Sequence, residues 1–437
     1  MDYLIFGSLI VEVLILSRVD RKVFGTWYTP FNLLAYPYMV VVVSALLFAP
    51  ALDFVSVYPR SVLIWCTGLL VFWFPGVILG LGLLGSSPLI RPIAASRGLN
   101  SDKFASKKLV MAVAWAVMPL MAYGLFKSVR LSGGWAGING YDFRVEYSRG
   151  LSAHAVVLAF PLVILLIGTY RKGQRAQLAT IGGLLVFLFA SQVKGTLFAP
   201  LIGGAVFRAV RGDLKLSWKK AATGLGLTYL LFNAVYVLGL SFADPSVLAD
   251  SQTYSGLARH YINYLWAGVL SFGEALRFGA GTVGGPWYEI FSPFINLYRV
   301  LFTSDPLVPV GSPHELGMNI DLSSDGFQGM NVYTMFGTLY LYLGPFATLL
   351  AIAGISFLFY GLLLVCRSST NVWYLTLYCA LVSWLVLGFF EYYFWHLTFP
   401  ETVFYCLLLA AVERGLGKRK SLAAYDPSRF RRVPKLS

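Results

Sequence analysis

The run NVYTMFGTLYLYLGPFATLLAIAGISFLFYGLLLVC, residues 331–366, decides the fold. It holds 36 residues without a single charged side chain. A helix needs only about 20 apolar residues to cross a hydrocarbon core of about 30 Å. The run is nearly twice that length, and the pair Gly344-Pro345 near its middle is a helix breaker. The reading is an outer half-helix followed by a true span.

Similar apolar runs recur on both sides of it. They predict eleven spans, near 2–17, 33–50, 61–84, 109–126, 151–170, 178–193, 196–210, 221–240, 344–366, 372–390 and 402–416. The stretch 178–210 is the least regular, since two short runs meet at SQVKGT and read either as two spans or as one broken hairpin. The whole chain of 437 residues is 57% hydrophobic and 12% charged, with a mean hydropathy of +0.70. Soluble domains carry about 25% charged residues, so a water-soluble globular protein is excluded. Almost every segment is a span or a link between spans, which predicts an all-α polytopic membrane protein with one membrane domain over residues 1–437. The N-terminus lacks the basic start and small-residue cleavage site of a secretory signal, so it reads as a retained first span. Cys66, Cys366, Cys379 and Cys406 lie in or beside apolar runs without a CxxC pair, which argues against a disulfide framework and against zinc.

Alternating the connections between two sides puts 25 Lys and Arg on one and 9 on the other. By the positive-inside rule the richer side is cytoplasmic, and with it the basic tail 414–437; the N-terminus is outside. The formal charge of +14 is then a topology signal, with the tail meeting anionic lipid, and no nucleic-acid partner is expected. One outer connection, 241–330, is 90 residues long and sits between spans 8 and 9. Links of that length are functional or disordered. Its fourteen aromatics argue for a folded loop. Within it, YINYLWAGVLSFGEALRF (261–278) and WYEIFSPFINLYRVLF (287–302) mix apolar and polar residues at helical spacing, as amphipathic helices lying on a membrane surface do.

No Walker loop, HExxH, GxSxG elbow or Asp-x-Asp pair occurs, so no metal site and no cofactor are expected. What remains is a set of ionisable residues on the outer side, including Arg144, Arg149, His154, Lys194, Arg259, His260, His314 and Glu391. Cations there run against the positive-inside bias, so they pair with acids or bind an anion. Arg144 has Asp142 and Glu146 nearby. Lys194 sits in a tight turn between two apolar runs, where an ammonium either snorkels to water or binds a phosphate. Arg259-His260 sets a fixed cation beside a side chain suited to take a proton, although a solvated helix start has the same sequence. His314-Glu315 has the composition of a base and its orienting acid, but neighbouring residues do not share a helix face. Glu12 is a carboxylate in the middle of the first span, and EYYFWH (391–396) reads as an interfacial aromatic belt or a sugar-stacking surface.

The segment GFQGMNVYTMFGTLYLYLGPFATLL, residues 326–350, after a long outer loop, resembles that of bacterial oligosaccharide repeat-unit polymerases, the O-antigen polymerases of the Wzy-type pathway. Asn331, Val332, Tyr333 and Thr334 match the family's Asn-Val-Tyr-Thr element, with Gly337, Tyr340 and Gly344 at familiar spacing. Leu343 stands where many members have Asp, so no acidic role carries over there. Lys194-Gly195 occupies the short turn where relatives often have a basic residue. The loop lacks the family's Arg followed after ten residues by Gly, since Leu270, Tyr288 and Val310 stand at that distance from Arg259, Arg277 and Arg299.

The resemblance implies a GT-C-like glycosyltransferase on the periplasmic face of the bacterial inner membrane, acting on undecaprenyl-diphosphate-linked oligosaccharides, with a chain-length regulator as partner. Lys194, Arg259 and Arg149 would hold the diphosphate. His260, or else His314, would be the catalytic base. Asp325, Asn331 and Tyr333 would line the sugar site. An O-antigen ligase would use the same donor. A lipid-linked oligosaccharide flippase or exporter is the alternative from another class; it is disfavoured by the lack of an internal repeat and by polar groups gathered at one face.

Overall fold

The computed structural model describes residues 2–84, 107–138, 140–215, 217–279, 286–303, 305–308, 320–323, 329–330, 332–369 and 371–424. Among them the chain is almost wholly helical. The helices are α1 (Asp2–Phe24), α2 (Pro30–Phe48), α3 (Pro59–Leu84), α4 (Lys107–Leu131), α5 (Tyr141–Tyr147), α6 (Gly150–Thr169) and α7 (Arg175–Ala190). They continue as α8 (Lys194–Val210), α9 (Trp218–Ala243), α10 (Ser251–Phe278), α11 (Ser292–Phe302), α12 (Met335–Ser368), α13 (Val372–Val386) and α14 (Thr398–Ala424). A two-residue antiparallel pair, β1 (Ile320–Asp321) and β2 (Gly329–Met330), sets Ile320 opposite Met330.

A helix covers each of the eleven apolar runs. Seven of them, α2, α3, α4, α6, α9, α12 and α13, are long and apolar enough to cross a membrane, and α7 and α8 are shorter apolar helices. The protein is an all-helical polytopic membrane protein. Helix α12 breaks where the sequence predicts, at Gly344, whose φ of 71° is left-handed and sterically open to glycine. Its first half starts at Thr334, whose hydroxyl accepts from Gly337 N at 3.0 Å and from Trp65 Nε1 of α3 at 3.2 Å.

Helix α13 is the most enclosed of the seven and runs through the centre. Helices α6 and α8 approach closely because Gly168 faces the Phe207 ring and Gly203 and Gly204 face Ile164 and Ile167. Small residues of this kind let backbones meet where burial against lipid supplies no net drive. The stretch 178–210 forms two helices, α7 and α8, broken at Gln192, which adopts a left-handed φ of 58°.

One expectation fails. Helix α10 is longer than predicted and does not lie on the surface, since every residue from Trp266 to Leu276 is buried. Its small residues explain this. Gly268 sits so close to the carbonyls of Phe389 and Phe390 that a Cβ there would come within 2.5 Å, and Gly273 meets Tyr58. Trp266 Nε1 donates to Ser44 Oγ of α2 at 3.0 Å, fixing α10 across the ends of α2, α3 and α12. Helix α11, in contrast, is exposed along most of its length.

Candidate functional site

Three helices begin around one cavity of about 660 Å³. Helix α6 starts after Arg149, where Gly150 at φ +68° makes the turn. Helix α8 starts two residues after the left-handed Gln192. Helix α14 starts after the 3₁₀ turn Tyr393–Trp395. Residues of all three first turns, Gly150, Gly195, Thr196 and Thr398, line the cavity. The first turn of a helix carries amide N–H groups without intrahelical partners and the positive end of the helix dipole. First-turn residues of three helices thus meet at one cavity wall.

The side chains divide into a polar rim and an apolar floor. Arg144, Arg149, His154, His396 and Glu401 line one part, and Val156, Val157, Phe160, Leu188 and Trp384 the other. Arg149 is 66% exposed and bonded to Glu146 at 3.1 Å, a pair of little energetic weight. Two histidine–carboxylate pairs stand here. His154 donates from Nδ1 to Glu401 Oε1 at 2.8 Å, across 247 residues of sequence. His396 Nε2 meets Glu391 Oε1 at 2.8 Å, and Trp395 Nε1 donates to the same oxygen at 3.1 Å. With Nδ1 held by a carboxylate, the Nε2 of His154 is the proton acceptor, which is how a general base is oriented. His154 is about half exposed, so it is reachable from solvent and from the cavity.

Behind the cavity lies a layer of aromatic rings. Tyr393 lines the cavity and packs against Gly195, whose Cβ would lie 3.2 Å from its ring. Tyr264 of α10 stacks on Phe390 with centroids 5.4 Å apart and meets the His260 ring edge-on at 4.9 Å. Burial pushes the Tyr393 hydroxyl far above the usual phenol range, with Glu391 and Tyr264 adding to the shift, and burial raises Tyr264. Both remain phenols at neutral pH and serve as hydrogen-bonding groups, not bases.

The structure gathers some of the predicted site residues and separates others. Arg149 is at the cavity, and Lys194 is the first residue of α8, between the cavity-lining Val193 and Gly195. His260 is one ring layer away, its Nε2 bonded to Tyr236 Oη at 2.9 Å. Arg259 lies over the Phe54 ring at 5.6 Å. Tyr333 is 1% exposed, inside the packing between α3, α10 and α12, and burial lifts its hydroxyl to about 12. It lines no cavity. His314, Asp325 and Asn331 lie outside the described residues. Sequence reasoning missed Glu401 and His396 and gave His154 no role. Thr398 and Glu401 have capping-box spacing, which explains an acid at a helix start without invoking chemistry. The partner of Glu401 is set only by the fold.

These features define a class: a helical membrane protein in which converging helix starts and cationic side chains surround an amphipathic cavity. Residues 53–418 match DUF6337, a family of unknown function, and the chain belongs to that family. The matched region contains every cavity-lining residue named above. No curated protein and no solved structure matches the chain.

Proposed function

We propose that this protein is a membrane glycosyltransferase, a repeat-unit polymerase of the Wzy type. It transfers a growing glycan from its undecaprenyl diphosphate to the terminal sugar of a new lipid-linked repeat unit. In this reading all eleven apolar helices cross the inner membrane in a GT-C-like arrangement. The excess of 25 Lys and Arg over 9 supports a cavity on the periplasmic side. A chain-length regulator is the expected protein partner.

The observation that carries the reading is the cavity's double character. Its cationic rim and three helix starts suit an anionic head, and its apolar floor suits the adjoining lipid. A diphosphate leaving group needs fixed positive charge as its bond to the sugar breaks, and Arg144, Arg149 and the α6, α8 and α14 starts supply it. His154, oriented by Glu401, takes the proton from the acceptor hydroxyl. That oxygen attacks the anomeric carbon, the bond from anomeric carbon to phosphate oxygen breaks, and the electron pair leaves with the diphosphate. His260 and Arg259, tied to Tyr236 and Phe54, have no direct part in this scheme.

The test is reconstitution. Purified protein given only synthetic polyprenyl-diphosphate repeat units should make a ladder of longer glycans. Product formed only when lipid A core is supplied would assign a ligase instead, and ATP-free export from vesicles with no new glycosidic bond would overturn the enzyme reading.

A further inference from the structure

Helix α11 is turned the wrong way for a water-facing helix. Its polar side chains point to the protein: Asn296 Nδ2 donates to Val308 O and Asn296 Oδ1 accepts from Val308 N, both at 2.7 Å, and Arg299 donates to Pro306 O. Phe294, Leu297, Tyr298 and Leu301 share the opposite arc at helical spacing, and each is about half exposed or more. Trp287 and Phe291 of the preceding turn extend that surface.

The helix is anchored beside the cavity. Ser292 Oγ donates to Trp395 O at 3.3 Å, and the next three residues, His396, Leu397 and Thr398, line the cavity. The Phe294 ring meets Phe399 of α14 at 6.5 Å, and Phe399 meets the cavity-lining Trp384 at 6.2 Å. Below that contact, α14 shows Phe404, Leu407 and Leu408 outward. The apolar arc of α11 is thus continuous with the exposed apolar surface of α14, and the cavity-lining Leu397 and Val193 are exposed and apolar.

We propose that α11 is embedded in the outer leaflet of the bilayer and that the cavity opens sideways into that leaflet beside it, so that an amphiphilic ligand enters from the lipid. The occupant of the apolar arc is bilayer lipid: a helix whose polar side chains are bonded back to the loop that follows it, and which offers large apolar side chains outward beside the exposed apolar face of α14, is an interfacial helix. The direction of ligand entry rests on the amphiphile-binding reading of the cavity; the embedding of α11 does not.

The test uses the full chain in phosphatidylcholine–phosphatidylglycerol vesicles. Cysteines replacing Leu297, Leu301 and Leu397 one at a time carry an environment-sensitive NBD fluorophore, with Gln252, exposed at the start of α10, as the aqueous reference. Doxyl-labelled phosphatidylcholine should quench the labels at 297, 301 and 397 at least twofold more than the label at 252, while iodide should quench only 252. Phe302→Cys replaces any variant that is not monodisperse. Iodide quenching at 297 and 301 would overturn the embedding, and iodide quenching at 397 alone would overturn the sideways opening. Protection at 297 and 301 from both quenchers, growing with protein-to-lipid ratio, would assign the arc to a second copy of the chain and reject lipid. No substrate enters these measurements, so a missing glycan ladder leaves their outcome standing.

Discussion

His154 is the side chain on which the chemistry turns, because its hydrogen bond to Glu401 does two things at once. It fixes the tautomer with Nε2 unprotonated, and it stabilises the imidazolium that forms when the acceptor proton arrives. His154→Ala should therefore lower single-turnover glycosyl transfer by about 10²- to 10⁴-fold. Glu401→Gln, which keeps an acceptor but removes the charge, should cost less. The pair is half exposed on the histidine side, so either change should alter stability by under about 1 kcal/mol. Normal transfer by His154→Ala at unchanged melting temperature would move the base elsewhere. Tyr333 gives the complementary test. Its hydroxyl is buried and has no hydrogen-bond partner among the described residues, so Tyr333→Phe should leave transfer within twofold and stability unchanged or slightly higher; a large loss of transfer would restore it to the sugar site. These two residues show how far the site was legible. Arg149 and the Lys194 turn were recognisable because a cation on the outer side breaks a charge rule visible in one dimension. Glu401 was not, because its partner lies 247 residues away and its own neighbours account for it as a helix-start acid.

At the scale of elements, the break in α12 and the burial of α10 depend on glycines whose roles differ. Gly344 supplies a left-handed residue, and Gly344→Ala should cost about 1–2 kcal/mol from the Cβ–carbonyl clash alone, read as a lower melting temperature in detergent. Gly337 supplies space: a Cβ would sit 2.7 Å from the Phe272 ring, so Gly337→Ala should force α10 and α12 apart at about 1–3 kcal/mol. The sequence revealed the first, since Gly-Pro is a breaker anywhere, but not the second. Residues 261–278 alternate polar and apolar in a pattern that suits a membrane surface and equally suits a helix gripped on all sides, and only the close approach of Gly268 and Gly273 to other elements decides between them. The start of α10 is also sensitive to pH. Asp250 accepts from the Gln252 and Thr253 backbone N–H groups at 3.0 Å and from the Thr253 hydroxyl, and these bonds hold its carboxyl below the usual 3.8. Because the folded value is the lower one, the cap's contribution is complete above the unfolded value and is lost as pH falls through the folded value. Amide exchange at Gln252 and Thr253, corrected for intrinsic rates, should accelerate in that acid range and should already be fast at neutral pH in Asp250→Ala.

For the molecule as a whole, the membrane class was legible because hydropathy is a local property: an uncharged run of 36 residues needs no knowledge of its neighbours. The site was not, because it is made where three chain-distant helices begin, and each start looks ordinary alone. Their convergence has a consequence that a single start lacks. First-turn residues of three helices line the cavity together with Arg144 and Arg149, so inorganic pyrophosphate should bind without any sugar or lipid attached. It should slow acylation of His154 by diethylpyrocarbonate, followed by mass spectrometry of the modified histidine, whereas modification of a histidine-containing peptide added to the same sample serves as the internal reference. Arg149→Ala should weaken the protective effect about tenfold, equivalent to about 1.4 kcal/mol. The rim is open, so protection should also weaken as salt rises and the Debye length falls from about 10 Å at 0.1 M to about 3 Å at 1 M. Modification of His154 at the same rate with and without pyrophosphate, in low salt, would mean that the three starts do not act together, and the diphosphate would have to be sought elsewhere.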